Sequence, residues 1–226
     1  MPRSPSPRAA APRATAIAAA LALLLPGVAS SAPMTLEGSY LRVGYDAAGL
    51  WNRADAAEGL QIRDGTGTWV DLTWPLTPWQ VVSFGFTHNS VDNTWVGSTE
   101  TQTHDWSIVA AEDLSTGAMN IARHTWQAGP LSIVKTESWH DTSRSIAVHW
   151  VVTNTSSSAV TDLRFMHAHD PDQDVVEYGE FETINDAVDV LPDGILDWAE
   201  SEGVASGWTA GYGLCDETRQ IAGHAP

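Results

Sequence analysis

The chain has 226 residues, a formal charge of −17 and 43% hydrophobic residues. This composition suits one globular domain, or two small ones, with a hydrophobic core, and it excludes a disordered chain. The negative charge argues against nucleic acid and anionic membrane surfaces as partners, because both require a cationic protein surface. Eleven Trp residues, against four Phe and four Tyr, predict that some indole rings lie at a wet surface or an interface.

The N-terminus has the pattern of a secretory signal peptide. Three Arg residues precede an apolar run from Ala16 to Leu25, and small residues follow it up to Ala32. Because this run is too short to span a bilayer comfortably, we expect a cleaved leader over residues 1–32 and a secreted or cell-surface protein without a membrane span after cleavage. Residues 33–226 are expected to form a single domain. A reading frame truncated after Pro226 is an alternative that the sequence leaves open.

Cys215 is the only cysteine, so no intramolecular disulfide can form. No His lies beside it in the sequence, which favours a small buried side chain over a catalytic thiol. An exported fold of this size therefore needs another device to hold its long loops.

Short segments in which apolar and polar residues alternate recur along the chain, as is typical of antiparallel sheets. The predicted strands are Leu41–Tyr45, Thr68–Trp74, Trp79–Phe86, Met119–Trp126, Leu131–Lys135, Ile146–Val152, Thr161–His169 and Trp208–Leu214. Gly129 and Pro130 predict a hairpin turn. The only helical signal is short, around Asp197 to Glu202. We therefore predict an all-β fold, an antiparallel β-sandwich with a long acidic loop insertion.

The most unusual stretch runs from His167 to Glu202. It contains twelve Asp and Glu residues, and no Lys or Arg lies between Arg164 and Arg219. Carboxylates at this density repel one another, so a compact form needs cations from solvent, protonation or open solvation. Bound cations are the interpretation that we favour.

The first candidate cation site is the segment from Asp170 to Asp174. Asp170, Asp172 and Asp174 alternate with Pro171 and Gln173, so that three carboxylates could converge on one hard cation. Ligands that are all oxygen favour Ca²⁺ over zinc. The alternative is a solvated acidic turn in which the Asp side chains bond to nearby amides.

The second candidate is the span of twelve residues from Asp189 to Glu200. It resembles the calcium loop of EF-hand proteins and of dockerin and thrombospondin type 3 repeats. The ligands that the resemblance implies for one Ca²⁺ are Asp189, Asp193, the Ile195 carbonyl, Asp197 and a bidentate Glu200. Gly194 would supply the sharp turn, whereas Leu191 stands where the family has an oxygen ligand. The alternative is a surface turn that caps a short helix.

His167 and His169 are a third candidate pair. On a strand they share one face, so they could chelate a transition metal together with Asp170 or Asp172. The metallo-β-lactamase pattern also begins with His-x-His, but its next residues are not matched here. Because Leu163 shares the same face, packed histidines at the edge of the core are the commoner explanation.

The tryptophans suggest an alternative class of function, a carbohydrate-active or carbohydrate-binding domain. Such proteins combine aromatic platforms with paired carboxylates. The first-half residues that could form a platform are Trp51, Trp69, Trp74, Trp79, Trp95 and Trp106. The competing explanation is that these rings fill the core.

The sequence thus favours a secreted or cell-surface binding or scaffold module with structural Ca²⁺, and a noncatalytic role over an enzymatic one. An extracellular glycan or a surface protein is the kind of partner that we expect.

Overall fold

The computed structural model describes residues 32–53, 55–72, 80–99, 101, 103–188 and 198–213. The predicted leader up to residue 31 and Cys215 lie outside these ranges. Within them, no helix is long and apolar enough to cross a membrane.

The described residues form fifteen strands and one short helix. The strands of the first half are β1 (Met34–Glu37), β2 (Leu41–Tyr45), β3 (Leu60–Arg63), β4 (Trp69–Asp71), β5 (Gln80–His88), β6 (Val91–Ser98) and β7 (Thr103–His104). They are followed by β8 (Ser107–Asp113), β9 (Met119–Ala128), β10 (Leu131–His140), β11 (Ala147–Asn154), β12 (Val160–His169), the helix α1 (Val175–Tyr178), β13 (Thr183–Val188), β14 (Trp198–Gly203) and β15 (Thr209–Gly213).

These strands make four antiparallel sheets, in the orders β1-β2-β3-β4, β12-β5-β6-β7, β11-β10-β9-β8 and β13-β14-β15. The all-β, antiparallel prediction is confirmed. The sheets are arranged like the blades of a four-bladed propeller, and the molecule is not a clear two-layer sandwich. One crossover connects two of the sheets. After the sheet of β8 to β11, the chain returns so that β12 pairs with β5 in another sheet.

Eight of these strands lie close to where alternation predicts them, namely β2, β4, β5, β9, β10, β11, β12 and β15, and the other seven were not predicted. The Gly129–Pro130 hairpin joins β9 to β10 as expected. The helical prediction around Asp197 to Glu202 is wrong, because Trp198–Gly203 is the central strand of the fourth sheet. A helix of so few residues is marginal without tertiary support, whereas β13 and β15 pair with this segment on both sides. The acidic stretch is therefore not one long loop, since it includes two paired strands.

Two apolar clusters flank a polar layer. The first contains Ala48, Leu50, Val82, Phe84, Phe86, Trp106, Trp126, Ala128, Leu131 and Ile133. The second contains Leu36, Leu41, Val43, Tyr45, Trp51, Ala122 and Trp139. Strands β9 and β10 run through both clusters, and His124, Lys135 and Glu137 occupy the inward positions between them. The fold thus places charged groups in the interior of the molecule.

Candidate functional site

The first predicted calcium segment lies directly after β12, where Asp170 is exposed and Asp172 is 8% exposed. Neither carboxylate accepts a hydrogen bond or forms an ion pair within the described part of the chain. Burial raises the pKa of Asp172 to about 6, and the charge of Asp170 adds to this effect. Partial desolvation by neighbouring residues also raises the pKa of Asp170, although the residue is exposed. Both carboxylates are therefore poorly stabilised in their charged form.

Asp174 has a different environment from the other two. It is 1% exposed, and its carboxylate accepts the backbone N–H of Ala205 at 2.6 Å and that of Ser206 at 3.2 Å. It packs so closely against Gly203 that a Cβ there would lie 2.6 Å from its Oδ1. Asp174 therefore holds the turn that joins β14 to β15.

The residues implied by the calcium-loop resemblance are mostly beyond what the structure describes. Asp189, Asp193, Ile195 and Asp197 lie outside the described residues. Glu200 lies in β14, where its Oε2 accepts a hydrogen bond from Trp198 Nε1 at 2.7 Å. Among the described residues, no group of three or more His, Cys, Asp or Glu side chains could hold a metal ion. Calcium at either segment stays a prediction.

A cluster of polar and aromatic side chains lies where the four sheets meet. This central cluster consists of Tyr45, Trp51, Gln80, His124, Lys135, Glu137, His167, His169 and Tyr212. Each of the four sheets contributes at least one of these side chains. The predicted histidine pair thus belongs to the interior of the fold.

A buried ion pair is the centre of this cluster. Lys135 Nζ lies 3.1 Å from Glu137 Oε1, and both side chains are fully buried. Glu137 Oε1 also accepts a hydrogen bond from Trp51 Nε1 at 2.8 Å, and Lys135 Nζ donates to the Gly49 carbonyl at 2.7 Å. Gly49 has a φ of 79°, and a Cβ at this position would collide with the His124 ring. The ion pair of Lys135 and Glu137 is therefore bonded to the turn after β2, in which only glycine fits at position 49.

His167 and His169 face this pair from β12. The Trp51 ring lies 5.8 Å from His167 and 5.6 Å from His169, centroid to centroid, and Tyr212 contacts both imidazoles from the other side. His167 Nε2 lies 2.8 Å from Gln80 Nε2, so the imidazole accepts this hydrogen bond and carries its proton on Nδ1.

Burial keeps these imidazoles neutral. It lowers the pKa of His167 to about 3, with the charges of Lys135 and His169 adding to the effect, and it lowers the pKa of His169 to about 3. Burial and then the charge of Glu137 raise the pKa of Tyr212. Neutral imidazoles and protonated phenols can each donate one hydrogen bond at neutral pH.

Several buried atoms of the central cluster have no hydrogen-bond partner among the described residues. They are Tyr45 Oη, Glu137 Oε2, Tyr212 Oη, and both ring nitrogens of His124 and of His169. Each such group costs about 1–3 kcal/mol of folding free energy. Perturbed pKa values and unpaired polar groups concentrate at functional sites in proteins. The central cluster is therefore a second candidate site, beside the acidic segment.

Sequence reasoning missed Lys135 and Glu137, although a signal was present. Both residues continue the alternation of Leu131 and Ile133 and so fall on the apolar face of β10. Two charges on a buried face predict an interior ion pair, because an isolated buried charge is too costly.

The tryptophan platform has little support in the described part of the chain. Trp51 and Trp106 are core residues, Trp95 packs against the first core cluster, and the guanidinium groups of Arg42 and Arg63 cover Trp69. Trp74 and Trp79 lie outside the described residues. Of the described tryptophans, Trp198 alone is exposed, at 36%.

No protein-family model, curated protein or solved structure matches the chain. Its function therefore has to be inferred from its own residues.

Proposed function

We propose that this chain is an exported binding or scaffold module that uses Ca²⁺, bound at the acidic segment after β12, to brace its fold. The observation that carries the proposal is the adjacent pair Asp170 and Asp172, which has no basic partner among the described residues although Asp172 is buried. A hard cation would stabilise both charges, and exported calcium modules need a Kd of only about 10⁻⁴ to 10⁻³ M.

The location of this pair supports a structural role for the cation. The Asp172 N–H donates to the Leu72 carbonyl after β4, and Gln173 Nε2 donates to the Ser201 carbonyl in β14. The segment itself continues from β12. A cation here would brace three of the four sheets in a protein without disulfides.

Export rests on the leader pattern, and the partner is expected to be an extracellular glycan or a surface protein. The long acidic surface is compatible with either partner once cations are bound.

Isothermal titration of Ca²⁺ into the purified, chelator-treated protein tests the proposal. We expect a measurable heat of binding at millimolar Ca²⁺ and a rise in Tm. Substituting Asp172→Asn should abolish both, whereas Glu177→Gln, in the same acidic stretch, should change neither. A wild-type protein without heat or Tm change at millimolar Ca²⁺ would sink the proposal.

A further inference from the structure

A surface cleft opens over the loop that follows β2. Its volume of about 360 Å³ lies within the range of about 300–1,000 Å³ that is typical of small-molecule sites. Its lining residues are Pro33, Asp46, Ala47, Ala48, Asn52, Arg53, Asp55 and His104. None of them belongs to the predicted calcium ligands or to the central cluster.

The floor of the cleft is a fixed turn. Asp46 Oδ1 accepts the Leu50 N–H at 2.8 Å, and the Asp46 N–H donates to the Leu50 carbonyl at 2.9 Å. Lys135 Nζ donates a hydrogen bond of 2.7 Å to the Gly49 carbonyl of this turn. The buried ion pair therefore preorganises this floor, and a preorganised site loses little conformational entropy on binding a ligand.

The cleft also contains a polar side chain that the fold does not satisfy. Asn52 is 4% exposed, and its Oδ1 has no hydrogen-bond partner among the described residues. Asp46 is a second unusual group, since burial raises its pKa against the opposing effect of the Leu50 and Ala48 amides. Pockets that combine such groups are the usual positions of ligand sites.

The charges around the cleft select a class of ligand. Asp46 and Asp55 repel an anion, while Arg53 repels a cation. Arg53 Nε and Asp55 Oδ1 form an ion pair at 3.2 Å and leave further donors and acceptors on both groups. A hydroxyl group both donates and accepts, so a neutral hydroxylated molecule matches this mixture best.

We propose that this cleft binds a neutral carbohydrate of mono- or disaccharide size, with hydroxyl groups bonded to Arg53 and Asp55. The exposed Ala47 and the Pro33 ring provide apolar surface for the C–H groups of the sugar. The proposal specifies the glycan partner of the proposed function and rests on it for the extracellular setting; because it needs no aromatic platform and no calcium, loss of calcium binding alone would not overturn it.

Saturation-transfer NMR on the full chain tests it, with glucose, galactose, mannose, xylose, N-acetylglucosamine and their β-linked disaccharides as probes at about 10 mM. Spermidine and citrate serve as the cationic and anionic probes. We expect saturation transfer to at least one neutral sugar, with a Kd of about 1 mM or tighter by titration. Absence of transfer to every sugar, or transfer to spermidine or citrate alone, would overturn the proposal.

Two variants locate the binding. Ala47→Trp places an indole ring in the cleft from an exposed position, and we expect this variant to lose sugar binding. Asp55→Ala should weaken sugar binding about tenfold, because the variant loses a hydrogen bond to a charged group. Ala118→Trp, also at an exposed alanine but outside the cleft, is the matched control and should bind sugar like the wild type. Unchanged binding by Ala47→Trp would place the sugar elsewhere and refute the assignment.

Discussion

The central cluster and the acidic segment after β12 both bury carboxylates, but they neutralise them differently. Glu137 is fully buried and has a cation from the same strand, Lys135, at 3.1 Å. Asp172 keeps 8% of its surface exposed to solvent and has no basic partner within the described residues. The comparison shows that this chain supplies a counter-charge for Glu137 from the same strand and supplies none for Asp172 among the described residues, and the proposed cation would take that role.

The two regions also respond to pH in opposite directions. His167 and His169 have folded pKa values of about 3, below the ordinary 6.5, so the fold loses stability as pH falls from 6.5 towards 3. Asp172 has a folded pKa of about 6, above the ordinary 3.8, so the fold loses stability as pH rises from 3.8 through 6. Because the two pH ranges overlap between 3.8 and 6, the contribution of each region has to be measured with a variant of that region.

The largest effect is expected from breaking the central ion pair. Lys135→Met leaves Glu137 charged and buried without its partner, which should lower the free energy of unfolding by about 3–5 kcal/mol. Urea denaturation at neutral pH measures this loss. Adding Glu137→Gln to the variant should restore a large part of the stability, because no buried charge then remains.

Arg164→Met is the matched control for this pair. Its ion pair with Asp162 is exposed, with side chains 76% and 59% accessible, so the substitution should cost less than about 1 kcal/mol. A loss below about 1 kcal/mol for Lys135→Met would contradict the buried environment of the pair.

A smaller effect is expected at Asp174. Its replacement by Ala leaves the amides of Ala205 and Ser206 without their acceptor, which should lower the free energy of unfolding by about 1–3 kcal/mol. Asp113→Ala removes a comparable bond to the Ser115 N–H, but in an exposed turn, and should cost clearly less. Equal losses in the two variants would show that burial of the Asp174 turn contributes nothing.

Eight of the fifteen strands in the described residues could be predicted from the sequence, but the other seven and the arrangement of the sheets could not. Alternation is a local signal, and it located β2, β9, β10, β11 and β12. The pairing of β12 with β5 depends on contacts between segments far apart in the chain, which periodicity does not encode. Trp198–Gly203 was predicted as helical for the same reason, because its pairing with β13 and β15 could not be recognised from the sequence.

The candidate sites also differ in whether their residues lie close together in the sequence. Asp170 and Asp172 lie two positions apart in the sequence, so the charge excess of this pair could be recognised there. The central cluster and the cleft assemble residues from several sheets and loops, and only the buried charges of β10 gave a local signal. Tryptophan counts gave no position for the rings, because composition does not tell whether a ring such as Trp126 fills the core.

The pH response of the central cluster gives the third prediction. His169→Asn removes one imidazole that the fold keeps neutral, so the variant should lose less stability than the wild type between about pH 7 and about pH 5. Urea denaturation at both pH values measures the difference. His149→Asn, on an exposed position of β11, is the control and should keep the wild-type pH dependence. An unchanged slope in His169→Asn would mean that this imidazole is accessible to protons in the fold.

The smallest effect is expected from the acidic segment, and it depends on calcium. Without Ca²⁺, the charge of Asp172 opposes the histidine effect between pH 3.8 and about 6, so the stability of Asp172→Asn should rise more steeply with pH over this range than that of the wild type, because the repelled charge is gone. At about 5 mM Ca²⁺ and neutral pH the wild type should gain about 1–2 kcal/mol, if the Kd lies within about 10⁻⁴ to 10⁻³ M. Glu177→Gln should behave like the wild type in both conditions. A wild-type pH profile that is identical with calcium and with chelator would mean that the segment tolerates its charges without a cation.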